Sequence, residues 1–292
     1  MAEYLILTDA TCDLSEEVIE KLDITVIPME IEMGGQSHIS GPKHGNLSVQ
    51  EFYSRQQKGE NAKTSQITPS TYVGFFEHAA KNGKDVVLIC LSSGLSASYG
   101  ASKVAAEKVM KDYPDRKIYC IDSLSATLGE GLLVCAAARK RQEGLSAAEL
   151  AAWLEEHRKM IVHCFTVDEL ETLKRGGRVS AATAAIGSML NIKPILVINE
   201  EGKIVPSTKV RGRKKSLEVI AEMFLRKYQP IEGMPAFIGY GTALEDAKHM
   251  KDLLVAGGRV GADDVVLGHV GPVVGAHTGQ TIIAVLFFGN AR

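Results

Sequence analysis

Asp85-Val-Val-Leu-Ile-Cys-Leu-Ser-Ser-Gly-Leu-Ser-Ala-Ser-Tyr99 carries the strongest strand-to-helix signal in the chain. Val86 to Leu91 is an unbroken apolar run rich in β-branched residues, the pattern of a strand buried on both faces. It breaks at Ser92-Ser93-Gly94, and a helical pattern follows through Ser96, Tyr99, Ala101, Val104, Ala105 and Val109. A buried parallel strand that opens through hydroxyls into a helix places polar donors at the carboxyl edge of a sheet. Open α/β sheets bind ligands there, and a helix N-terminus favours an anion. Ser92, Ser93, Ser96 and Ser98 supply hydroxyls without charge; simple helix capping by one of them is the competing use.

Outward from this stretch the strand signal recurs. Tyr4 to Thr8 and Lys117 to Ile121 are apolar runs that end in Asp9 and Asp122. Helical patterns separate them: Ser15 to Leu22, Ser70 to Lys81, and an alanine-rich segment up to Gln142 that Gly144 stops. Ser146 to Glu149 is a capping box opening one more helix to about Lys159. Thr68 and Pro69 read as N-cap and first helical residue, so Thr64-Ser65-Gln66 is a polar loop just ahead of a helix. Ile24 to Met33 is extended but irregular at Pro28, and Gly34 to Asn46 reads as a loop. Strands alternating with helices predict βαβ units, and hence an N-terminal Rossmann-like α/β domain with a parallel sheet over residues 1–160.

Beyond residue 161 the pattern changes. A strand from Ile161 to Val167 precedes a short helix and Lys174-Arg-Gly-Gly-Arg178. Ala181 to Leu190 is helical and small or apolar. Ile195 to Ile198 and Lys203 to Ser207 form a predicted hairpin around Asn199-Glu-Glu-Gly202. Helices from Lys214 and Thr242 and strands at Ala236 to Tyr240, Val265 to Leu267 and Thr281 to Phe288 complete a C-terminal α+β domain over 161–292. Gly271 to Gly279 reads as a glycine-rich loop carrying His277.

The chain has 292 residues, 45% hydrophobic and 23% charged, with a formal net charge of −2. That balance gives no reason to expect nucleic acid or an anionic membrane as partner. No apolar run reaches the ~18 residues that span a bilayer. The first residues carry no basic n-region, so the expected compartment is the cytoplasm. Five cysteines without Cys-x-x-Cys spacing read as reduced thiols, and eight histidines without His-Glu-x-x-His give no expectation of a metal. Neither a Walker A pattern nor Gly-x-Gly-x-x-Gly after a strand is present.

Two function classes are open on the residues alone. Gly94-Leu-Ser-Ala-Ser98 falls one residue short of a nucleophile elbow, because Ser98 stands where glycine belongs. A serine hydrolase or acyltransferase would use Ser93 or Ser96 with His277. A module for a polar anion would use helix N-termini with Arg175 and Arg178, whose alternative reading is a helix stop with solvated arginines.

Asp9-Ala-Thr-Cys-Asp-Leu14, Thr64-Ser-Gln66, Leu91-Ser-Ser-Gly-Leu-Ser96 with Tyr99, Asp122-Ser123, Leu173-Lys-Arg-Gly-Gly-Arg178, Leu190-Asn-Ile-Lys-Pro194, Lys209-Val-Arg-Gly212 and Gly275-Ala-His-Thr-Gly279 together resemble the successive motifs of the DegV family. The resemblance implies a two-domain bacterial protein holding one long-chain fatty acid between its domains. It implies no cofactor and no turnover of its own. The acid would be presented to a fatty acid kinase that makes an acyl phosphate for phospholipid synthesis. By motif position Thr64, Ser65, Ser92, Ser93, Ser96 and His277 would surround the carboxylate, and Arg175 or Arg178 would lie on a kinase-facing rim. Ala181 to Ile198 would wall the tail, and a monomer with no stable membrane insertion is expected. Ala10, Ile67 and Gln280-Thr281 stand where members usually carry other residues.

Overall fold

Asp85–Cys90 forms strand β6 near the middle of a parallel sheet, and its side chains divide between two cores by the two-residue period of a strand. Val86, Leu88 and Cys90 join a core with helices α3 (Pro69–Lys81) and α4 (Ser98–Asp112). Val87 and Ile89 face the other way, toward α5 (Leu128–Gln142) and α6 (Ala147–His157). The structure is a computed structural model that describes residues 4–43, 45–168, 170–180 and 191–290.

The sheet runs β2-β1-β6-β7, all parallel, with β1 at Tyr4–Asp9, β2 at Ile24–Ile27 and β7 at Ile118–Asp122. Caps stand where the side-chain chemistry places them. Ser15 opens α1 (Glu16–Lys21), Ser48 opens α2 (Val49–Gln57), Thr68 opens α3 and Ser146 forms the capping box of α6. Two expectations are corrected here. The extended run from Ile24 divides at Pro28, so that β3 (Met29–Met33) leaves the parallel sheet. The segment Gly34 to Asn46, expected as a loop, contains β4 (Gln36–Ser40); β4, β3 and β5 (Ala62–Thr64) form a small antiparallel sheet that carries Thr64 at its end.

The second half builds a mixed six-stranded sheet in the order β10-β9-β8-β13-β11-β12. Its strands are β8 (Ile161–Thr166), β9 (Ile192–Ile198), β10 (Ile204–Arg211), β11 (Ala236–Tyr240), β12 (Val265–His269) and β13 (Ile283–Phe288). α7 (Glu171–Arg175) follows β8. One face of this sheet packs α8 (Arg213–Lys227) and α9 (Leu244–Ala256). The other face packs α5, whose Leu128 and Leu132 share a core with Phe165, Phe237 and Leu286 as well as with Val87 and Ile89. Helix α5 is therefore sandwiched between the two sheets, and one continuous core joins both halves of the chain. The expected helix from Ala181 to Leu190 lies outside the described residues.

The segment around His277 also differs from the expected loop. Pro272–Thr278 is a helix, α10, rather than a loop, with Pro272 at its first turn and Gly279 at φ 79° ending it. Proline at the first helical position and glycine beyond the last are the ordinary signatures of such ends, compressed here into two turns.

Candidate functional site

A cavity of about 260 Å³ lies beside the carboxyl ends of β1 and β6, between the two halves of the chain. Thr64, Ser65, Ser96, Arg178 and His277 all line it, with apolar walls from Leu91, Leu95, Ile204, Val273 and Val274. Residues more than two hundred positions apart thus meet in one place. Thr64 Oγ1 lies 2.8 Å from His277 Nε2.

His277 is held as a neutral imidazole. Burial pushes its pKa down to about 4, and the neighbouring Arg178 charge adds to the shift. The ring sits against Gly176, where any Cβ would collide with Nδ1, so the glycine of Arg175-Gly-Gly-Arg178 is required for close approach. Gly177, at φ 72°, then turns the chain so that Arg178 reaches the cavity. Arg178 donates from Nε to the Leu95 carbonyl at 3.1 Å and from a terminal nitrogen to the Gly176 carbonyl. No acidic side chain pairs with it among the described residues. A half-buried guanidinium with two of its five donors on backbone carbonyls is an anion receptor. If His277 donates Nε2–H to Thr64, the Thr64 hydroxyl proton is free to point at that anion.

The structure separates the four serines. Ser96 lines the cavity and hydrogen-bonds Ser98 Oγ at 3.0 Å. Ser98 is buried and accepts the Ile67 N–H at 3.1 Å, which pins the Thr64-Ser-Gln66 loop to α4. Ser92 is fully buried and donates to the Gly202 carbonyl at 2.8 Å, tying the β9–β10 turn to the end of β6. Ser93 is exposed, with its N–H on Asp122 Oδ1 at 3.0 Å. Neither Ser92 nor Ser93 lines the cavity, contrary to the expectation from motif position. Arg175 is exposed at the end of α7, whereas Arg178, expected on an outer rim, lies inside.

Among the described residues His277 hydrogen-bonds neither Ser93 nor Ser96, and its buried Nδ1 has no partner. A Ser–His–acid relay needs a contact on each ring nitrogen, and here only Thr64 supplies one. Gln66 of the Thr64-Ser65-Gln66 loop also lines the cavity, and so does Thr11, which was not among the expected site residues. The position of Thr11 beside Asp9, at the polar end of an apolar strand, was the available signal.

A larger cleft of about 610 Å³ opens on the other side of Cys12, lined by Asp13, Lys43, Phe237 and His269 among others. Burial raises the Asp13 carboxyl to about 7, while hydrogen bonds from Thr127 Oγ1 (2.5 Å) and the Gly271 N–H lower it. The smaller cavity is the better anion site, because it gathers hydroxyls, imidazole and an uncompensated guanidinium.

Comparison with known proteins shows the family. A family model described as "Uncharacterised protein, DegV family" matches residues 3–290. A DegV domain-containing protein of Clostridium perfringens is 34% identical over 292 residues, covering 100% of this chain and 99% of the relative. The fatty acid binding DegV family protein of Streptococcus agalactiae superposes with a TM-score of 0.86 at 26% identity, over 99% of this chain and 100% of that one. A stearic acid-binding protein from Eubacterium ventriosum gives 0.84 at 26% identity, over 97% and 98%. With a family model and a full-length relative both matching end to end, the chain belongs to the DegV family.

Proposed function

We propose that this protein is a carrier that binds one long-chain fatty acid with its carboxylate in the cavity at Thr64, Ser96, His277 and Arg178. The observation that carries the reading is the half-buried Arg178, without an acidic partner among the described residues, beside a neutral His277 bonded to Thr64. A buried carboxylate must be paired and hydrogen-bonded, and this set offers both. Each buried methylene of the tail contributes ~0.8 kcal/mol, so a C16 chain gains a gross ~11 kcal/mol before ordering and association costs. The structural relatives described as binding fatty acid support the ligand class.

The carrier has no turnover of its own and works in the cytoplasm as a monomer of two domains, 1–160 and 161–292. It presents the carboxylate to a fatty acid kinase for phospholipid synthesis, and exposed Arg175 lies on the docking rim. None of the helices among the described residues is long and apolar enough to cross a membrane. Native mass spectrometry of the purified chain tests the ligand, with a non-covalent C14 to C18 acid at one per chain as the expected result. A chain that carries no acid and takes up none on incubation with hexadecanoate removes the reading. Labelling of Ser93 or Ser96 by a fluorophosphonate would instead establish the hydrolase.

A further inference from the structure

Behind the cavity lies a cluster of acids that ligand binding does not use. Thr11, a cavity-lining residue, places Oγ1 2.5 Å from Asp9 Oδ1 and 2.7 Å from Glu130 Oε2. A threonine hydroxyl has one proton and so can donate to only one of the two. Two ionised carboxylates would leave the other short contact without a proton. Thr8 Oγ1 lies 2.9 Å from Glu130 Oε1, and both acids are fully buried. Among the described residues no Lys, Arg or His pairs with either. Asp9 accepts two backbone N–H groups, from Thr11 at 3.0 Å and Leu91 at 2.9 Å, donors that suit an anion. Glu130 meets only hydroxyls, which can accept as readily as donate.

We propose that Glu130 is a neutral carboxylic acid in the folded protein and donates its proton to Thr11, whose own proton goes to ionised Asp9. The relay makes Glu130 a positioning residue. It fixes Thr11 in the cavity wall, and it leaves one negative charge rather than two behind the ligand carboxylate. That second role rests on the fatty acid reading; the proton itself does not. Groups facing the relay reinforce it: Asp13 and Cys12 from the loop after β1, Cys90 from β6 and Tyr72 from α3. None is cationic; burial raises both carboxyls, the backbone N–H and hydroxyl donors draw Asp9 back, and burial together with the Asp9 charge favours the neutral form of Glu130.

The test is Glu130→Gln, whose amide donates to Thr11 and accepts from Thr8 as the neutral acid does. Infrared difference spectra, wild type minus variant, should show the C=O stretch of a protonated carboxyl at about pH 8, well above ordinary carboxylate titration. The variant should bind hexadecanoate within about twofold of wild type. Absence of the protonated band overturns the proposal. So does a Glu130→Gln variant that unfolds at the wild-type midpoint yet loses more than about tenfold in affinity. If Glu130→Gln does not fold, the carboxyl carbon-13 shift of Glu130 in the wild-type protein decides, since an ionised value at neutral pH is equally fatal. If no protein binds hexadecanoate, the carrier reading fails while the band still reports the proton.

Discussion

Gly176→Ala sets two physical effects against each other. Gly176 caps α7 with φ −71° and ψ −10°, a conformation any residue adopts. Backbone entropy alone therefore predicts that alanine stabilises the protein by about 0.4–1 kcal/mol. The tertiary contact says the reverse, because a Cβ at this position would strike His277 Nδ1, a rigid ring held between Thr64 and the α7 turn. Overpacking of this kind costs about 1–3 kcal/mol, and displacing the ring also gives up the Thr64 hydrogen bond, worth about 1 kcal/mol. The expected net is a loss of about 1–3 kcal/mol in urea unfolding at unchanged m. Imidazole NMR should show the His277 pKa rising from about 4 toward its ordinary 6.5 as the ring moves into water. Hexadecanoate affinity should fall with it. A variant at least as stable as wild type, with His277 still titrating near 4, would mean that the ring does not depend on the missing Cβ.

Thr64→Val should weaken fatty acid binding by about 1.5–3 kcal/mol, the scale of a hydrogen bond to a charged group, while Ser93→Ala changes it little; fluorescent displacement reads both. Ser92→Ala should cost about 1–3 kcal/mol of stability, because it leaves the buried Gly202 carbonyl without its donor, and calorimetry measures the loss. The folded chain holds the His277 proton less tightly than the unfolded chain, which binds more protons between about pH 6.5 and about pH 4. Stability therefore falls as pH drops through that window, by at most ~3 kcal/mol, and His277→Gln should abolish this slope in unfolding midpoints. Asp13 acts in the opposite sense. Its carboxyl is raised from 3.8 to about 7, so it costs stability as pH rises through that interval. Asp13→Asn should flatten that limb, and asparagine suits the φ of 52° there.

Elements whose causes are local were legible in the chain before any tertiary contact is considered. β6 was legible because a strand buried on both faces must be apolar at every position, and its alternate residues do enter two different cores. Caps at Thr68 and Ser146 were legible because a hydroxyl beside a helix start satisfies its own nearby N–H groups. β4 was hidden because an exposed hairpin strand of Gln, Ser and His carries little apolar alternation. The α10 helix was hidden because seven residues are too few to establish a 3.6-residue period among glycines.

Motif position brought Thr64, Ser96 and His277 into view, yet it could not divide neighbouring serines. Ser92 turns to a carbonyl at residue 202 and Ser96 turns to the cavity, although the two are only four positions apart. Nothing local distinguishes them, since each assignment depends on which distant backbone arrives beside the turn. The same holds for Arg178, brought inside by the turn at Gly177, and for Glu130, an unremarked acid in an alanine-rich helix until Thr8 and Thr11 close over it. Tertiary structure alone decides a buried polar group's role, because its partners and its protonation are set by whatever packs against it, and those groups lie far away in the chain.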